Sequence, residues 1–173
     1  NYDFVICRQN GIPIFNFANA IDDFFIDNVS HVIRGRDHLS NTPIQIMIGQ
    51  ALGKSEFPIY AHLPMMLGSS GAKLSKRDGA VSVHQFREAG YAPQAILNYI
   101  SRFGWSSKNQ EIFSLDELIE KFDINQLNKA DGKFDYNKFL ATNYAHLKSE
   151  SLLPDAEYAT YLKSFIDSNI SSE

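Results

Sequence analysis

The spacing of apolar residues changes once along the chain, and that change restricts the fold more than any other feature. Up to about Leu67, short extended runs alternate with helical segments. "DFVICR" reads as a strand, "QNG" supplies a turn at Gly11, and "IPIFNF" is a second extended piece, which together predict a hairpin. "NFANAIDDFFID" has helical spacing, with Ala18, Ile21, Phe24 and Phe25 on one face. "SHVIRG" is a strand with a glycine stop. "SNTPIQIMIGQALG" is a punctuated helix: Asn41 or Thr42 caps it, Pro43 sits in the first turn, Ile44, Met47, Ile48 and Ala51 form the apolar stripe, and Gly53 ends it. "FPIYAHLPMML" is again extended. Strand, helix, strand, helix, strand predicts a layered α/β region.

From Ser82 only helical spacing remains. Ser82 with Gln85, and Ser114 with Glu117, have the spacing of capping boxes. Pro93 opens a helix with Ile96, Leu97, Ile100 and Phe103 inward and Gly104 at its end. Leu115, Leu118, Ile119 and Phe122 form the next stripe; Tyr136, Phe139, Leu140, Asn143 and Leu147 form another. Pro154 begins a last helix. The fold class expected is α/β followed by all-α, a helix array with short connections. The chain's 173 residues suffice for one large domain or two small ones, and 44% hydrophobic residues supply the cores.

Composition removes several function classes. A net charge of −4 argues against a uniformly basic nucleic-acid binder, although a local basic stripe can still engage phosphates. Cys7 is the only cysteine, which rules out an internal disulfide and fits a reducing, cytoplasmic setting. The five histidines show neither H-x-x-x-H nor H-E-x-x-H spacing, so no protein-bound metal is expected. No apolar run approaches the roughly 20 residues that span a bilayer, and no signal peptide is visible.

At the join of the two textures lies "SSGAKLSKRDGA", which puts Lys73, Lys76 and Arg77 within five residues between Gly71 and Gly79. Flexible backbone around crowded positive charge reads either as a loop built for an anion or as a solvated surface patch. Two ammonium groups and a guanidinium can neutralise the charge that builds on a leaving pyrophosphate. A mobile loop that closes most tightly on the transition state turns that attraction into rate. Ser75 adds a hydroxyl donor, and Leu74 is placed to pin the loop.

"KLSKR", following "HLPMMLG" and preceding helices, resembles the second signature of class I aminoacyl-tRNA synthetases. "GIPIFNFANAIDDF" and "SHVIRGRDHLSNTPIQIMIGQALG" resemble the catalytic domain of bacterial-type glutamyl-tRNA synthetases. "GYAPQAILNYISRFGW" and "EIFSLDELIEKFDINQLNKADGKFD" resemble their helical stem-contact domain. The resemblance runs to about Leu147. It implies the distal half of a Rossmann-type nucleotide-binding domain over residues 1–68, the loop and stem-contact domain over 69–150, and the start of a linker toward an anticodon-binding domain over 151–173.

The resemblance also implies roles. Lys76 meets the ATP phosphates, assisted by Lys73 and Arg77, with Ser75 shaping the loop. Arg34 lies in the glutamate pocket, which agrees with a guanidinium's fitness for a carboxylate; Asn19 and Phe15 face the same substrate. Asp37 and His38 lie near the adenosine, and Met66 and Leu67 beside the adenine, although the last two equally suit a core strand. The reaction implied is activation of glutamate by ATP to glutamyl-adenylate, with Mg2+ on the phosphates, and transfer to tRNA by a monomeric enzyme. Two positions depart from the family: Phe15 replaces a usual tyrosine, and Arg36 replaces the first acid of an acidic pair, which bears on fine specificity.

The His-Ile-Gly-His signature of such enzymes does not occur in this sequence, nor does an anticodon-binding region. The expectation is therefore an internal piece of a longer enzyme, inactive in adenylate formation by itself. The rival readings are a non-catalytic tRNA-binding module, a glutamate-activating paralogue that modifies a tRNA base, and a generic helical interaction domain. The long helical tail from Ser82 argues against the paralogue, and the upstream motifs argue against the generic domain.

Overall fold

A computed structural model of the chain describes residues 3–68, 70–74 and 82–170. Its contacts divide into two compact units, Asn1–Leu63 and Pro64–Glu173. The predicted sites Ser75, Lys76 and Arg77 lie outside the described residues.

The first unit opens with the predicted turn. Gly11 takes a left-handed φ of +81°, and Cys7 and Pro13 form one antiparallel bridge. The extended piece expected over "IPIFNF" stops at Ile14, because helix α1 (Phe15–Ile21) already begins at Phe15. Helical spacing from there buries Ala20 and Phe24, and that burial outweighs the strand preference of the Ile and Phe residues. The helix widens into a π turn over Asp22–Ile26. Strand β1 (His31–Gly35) pairs in parallel with β2 (Ile59–Leu63), with Arg34 opposite His62 and Val32 opposite Tyr60. A parallel pair needs a crossover, and α2 (Asn41–Ala51) supplies it. Gly53, at φ +87°, ends that helix as expected.

The stripe expected on α2 is corrected. Met47 is 47% exposed and Ala51 is exposed, whereas Gln45, Ile48 and Gly49 are buried. The inward face is rotated toward Gln45 because that amide has partners inside. The expected caps have other employment too: Asn41 donates to Asn16 Oδ1 at 2.8 Å, and the Thr42 hydroxyl accepts from Arg34. Phe25, expected inward, is 42% exposed. The core is Ala20, Phe24 and Ile48 with Phe17, Ile44, Phe57 and Tyr60 around them.

In the second unit, β3 (Met66–Leu67) pairs in parallel with β4 (Gly132–Lys133). Helices α3 (Val83–Glu88), α4 (Pro93–Gly104), α5 (Leu115–Lys121), α6 (Tyr136–Leu147) and α7 (Asp155–Ile170) make up the array. Both capping boxes form, each serine accepting from the backbone N–H three residues on. Phe86, Ile96, Tyr99 and Phe139 form one core cluster, with Tyr91, Ile100, Phe103 and Phe134 packed on it; Trp105, Phe113 and Leu118 form another.

Several apolar residues expected inward are exposed: Leu97, Leu115, Ile119, Phe122, Tyr136 and Leu140. Polar residues take part of the inner faces instead. Asn143 accepts from Ala92 N at 2.9 Å and donates to Gly90 O at 3.3 Å. Asn98, fully buried, donates to Glu111 O at 2.9 Å and accepts from Phe113 N at 2.9 Å and from His146 Nε2 at 3.0 Å. These amides fasten loop backbone, and buried backbone must be paired.

Candidate amino-acid site

In the first unit a cavity of about 390 Å³ is lined by Phe15, Asn19, Asp23, Arg34 and His38, together with residues of β1. Four of the predicted site residues, Phe15, Asn19, Arg34 and His38, therefore share one cavity. Arg34 stands near the carboxyl end of a parallel strand, where ligands of open α/β sheets sit. The parallel register puts its side chain on the same sheet face as Tyr60 and His62. The guanidinium lies over the Tyr60 ring, 5.7 Å from its centre, a geometry that favours a cation.

Hydrogen bonds fix Arg34 in place. Nη2 donates to Thr42 Oγ1 at 2.8 Å and to Gln45 Oε1 at 2.9 Å; Nε approaches His62 Nε2 at 3.5 Å. Among the described residues Nη1 has no hydrogen-bond partner. The Thr42 hydroxyl also lies 3.1 Å from His62 Nε2, the nitrogen at which Arg34 Nε aims its N–H. A donor aimed at Nε2 suits the tautomer with a lone pair on that nitrogen. Burial, reinforced by the Arg34 and His38 charges, holds the His62 pKa below the usual histidine value.

Asn19 and Asp23 stand one helical turn apart. Asn19 Oδ1 accepts from Gln45 Nε2 at 2.6 Å. Burial raises the pKa of Asp23; the Arg34 charge and the Asn19 hydrogen bond oppose the rise. Phe15 packs on His38 with ring centres 5.6 Å apart. Asp37 is on the adjoining 3-10 turn, Arg36–His38. Its carboxylate lies so close to Gly35 that a Cβ there would stand 2.5 Å from Oδ1.

The remaining predicted residues belong to the second unit. Met66 and Leu67 form β3; their carbonyls accept from Leu74 N and Phe134 N, both at 2.8 Å. Asp131 accepts from Met65 N at 2.7 Å and fixes the start of the strand. Lys73 is exposed and bridges back to Leu67 in an antiparallel pair.

Sequence reasoning missed Thr42, Gln45, His62 and Asp23. The signals were present: Thr42 and Gln45 are polar positions three apart at the start of an otherwise apolar helix, Asp23 follows Asn19 by four, and His62 is a lone histidine in an apolar strand. Among the described residues no group of three or more His, Cys, Asp or Glu converges as a metal site, and no helix is long and apolar enough to cross a membrane.

Residues 1–141 match the family described as tRNA synthetases class I (E and Q), catalytic domain. The chain is 50% identical over 150 residues to glutamate–tRNA ligase 1 of Petrotoga mobilis, covering 87% of this chain and 32% of that protein. It is 50% identical over 147 residues to glutamate–tRNA ligase of Nitrosospira multiformis, covering 85% and 31%. A crystal structure of a glutamate tRNA ligase from Elizabethkingia meningosepticum in complex with its amino acid superposes with a TM-score of 0.76 at 32% identity, over 95% of this chain and 36% of that one. The chain thus spans about a third of the length of the relatives it matches. With the match covering most of its length, the chain belongs to the class I tRNA synthetases for E and Q, as part of their catalytic domain.

Proposed function

We propose that this chain is the portion of a glutamate–tRNA ligase that holds a carboxylate of glutamate and carries the second ATP signature. It comprises the distal half of the Rossmann-type domain, over 1–68, and the helical stem-contact domain, over 69–150, with 151–173 leading onward. The observation that carries this reading is Arg34: a guanidinium held by Thr42 and Gln45, with Asn19 beside it, in one cavity at a strand's carboxyl end. A chain half identical to glutamate–tRNA ligases over most of its length supports the substrate.

The reaction has two steps. A carboxylate oxygen of glutamate attacks the α-phosphorus of ATP; the bond to the β-phosphate breaks and pyrophosphate leaves. The terminal ribose hydroxyl of tRNA then attacks the activated carbonyl, and AMP leaves. No covalent protein nucleophile is needed, so catalysis is positioning and charge stabilisation. Arg34 orients the amino acid, with Phe15 and Asn19 beside it. Lys76, with Lys73 and Arg77, steadies the charge on pyrophosphate, and Ser75 shapes that loop. Asp37, His38, Met66 and Leu67 flank the adenosine. Mg2+ would arrive on the ATP phosphates and neutralise part of their charge. The helical unit would contact the tRNA acceptor and stem, in a parent that is a cytoplasmic monomer.

The test is ATP–pyrophosphate exchange. The parent enzyme should catalyse exchange that depends on glutamate, and this chain alone should catalyse none. Salt-sensitive tRNA binding by the parent without any exchange would instead establish a non-catalytic tRNA-binding module.

A further inference from the structure

We propose that Gln45, which does not line the amino-acid cavity, is the positioning residue that makes the cavity select a carboxylate over a carboxamide; the inference rests on the assignment of glutamate to that cavity. Gln45 is 1% exposed, so water cannot substitute for its partners. Its orientation is dictated by chemistry. A guanidinium only donates, so the Gln45 oxygen must face Arg34 Nη2, as it does at 2.9 Å. The Gln45 amide nitrogen is thereby aimed at Asn19, whose Oδ1 accepts at 2.6 Å; a weaker contact runs to Asn16 Oδ1 at 3.5 Å. Asn16 Oδ1 is itself held by Asn41 Nδ2 at 2.8 Å, so it offers no alternative partner of opposite polarity.

The consequence reaches the cavity. With its oxygen turned toward Gln45, Asn19 can show the cavity only its Nδ2 side. Arg34 and Asn19 then present donors alone. A carboxylate accepts from all of them, whereas the –NH2 of a carboxamide would set donor against donor. Sites of this kind discriminate strongly because a mismatched ligand leaves buried polar groups unpaired. The polarity of Asn19 is therefore set by a residue that substrate does not touch, through a relay that begins at Arg34.

The experiment measures steady-state exchange with glutamate, glutamine and ATP for the parent enzyme and for Gln45→Met and Gln45→Glu, together with 15N side-chain NMR of Asn19 and Arg34. Gln45→Met keeps the shape and removes the hydrogen bonds. The KM for glutamate should rise on the order of 10- to 100-fold, the factor expected for losing a buried hydrogen bond to a charged group, while kcat and the KM for ATP change less than about threefold on the same scale. Gln45→Glu keeps an acceptor for Arg34 but demands a donor from Asn19, which turns that amide round. Its folding should be intact, and the glutamate-over-glutamine ratio of kcat/KM should fall on the order of tenfold or more. Either variant with a wild-type glutamate KM and a wild-type selectivity ratio overturns the proposal, as do parallel rises in the KM for glutamate and ATP. If the parent enzyme shows no glutamate-dependent exchange although Gln45→Met moves the Asn19 and Arg34 resonances, the function assigned to the cavity fails while the coupling itself stands. If exchange is normal and those resonances do not move, Gln45 is not the positioning residue.

Discussion

Replacing Asn98 with leucine removes a fully buried side chain that makes three hydrogen bonds, while nearly preserving its size. Two of the stranded partners, Phe113 N and His146 Nε2, belong to residues with no exposure. Each unsatisfied buried donor costs about 1–3 kcal/mol. The third, the Glu111 carbonyl, sits on an exposed residue and can turn to water. A buried leucine returns about 1.5 kcal/mol through the hydrophobic effect. The net loss is about 2.5 kcal/mol, which lowers Tm on the order of 10 °C for a unit of this size. Trp105, the only tryptophan, is buried in ring contact with Phe113 and reports unfolding by fluorescence. In urea at pH 8, where His146 is neutral, the midpoint should drop with an unchanged slope. A loss below about 0.5 kcal/mol would show that these hydrogen bonds are dispensable and refute the reasoning.

Three further outcomes are expected. Arg34→Lys keeps at most one nitrogen for Thr42 and Gln45 and loses Nη1 and Nε, so the glutamate KM of the parent enzyme should rise on the order of 10- to 100-fold; a rise under twofold would remove Arg34 from the site. Lys76→Gln should slow adenylate formation by about 10²- to 10³-fold in single turnover with glutamate affinity nearly unchanged, the pattern of a charge felt in the transition state; an equal loss of glutamate binding would contradict the role. Burial lowers the pKa of His146 below its usual value, so its neutral form is the folded one. Its contribution to stability is complete above about pH 6.5 and is lost as pH falls from there through the lowered folded pKa. Urea midpoints of the chain should fall between pH 8 and pH 5, and His146→Gln should flatten that fall; an unflattened profile would assign it to other groups.

Local chemistry decided much of the architecture before any contact formed. The capping boxes at Ser82 and Ser114, the glycine stop at Gly53 and the helices that follow Pro93 and Pro154 depend on residues within one or two turns, so neighbouring sequence is enough to specify them. The family motifs led to Arg34, Asn19 and Phe15 as residues at the glutamate and to His38 as one near the adenosine; a single cavity is lined by all four. What the chain could not reveal by itself was which face of each helix is inside. Met47, Leu97 and Ile119 have the spacing of core residues yet are exposed, while Gln45, Asn98 and His146 are buried. Hydrophobic periodicity assumes that burial follows apolarity. Here burial follows the need to pair a guanidinium and stretches of loop backbone, and those partners come from 11, 13 and 15 residues away. Side-chain pairing across such separations exists only once the elements have packed, so the polar inner faces were set by tertiary structure.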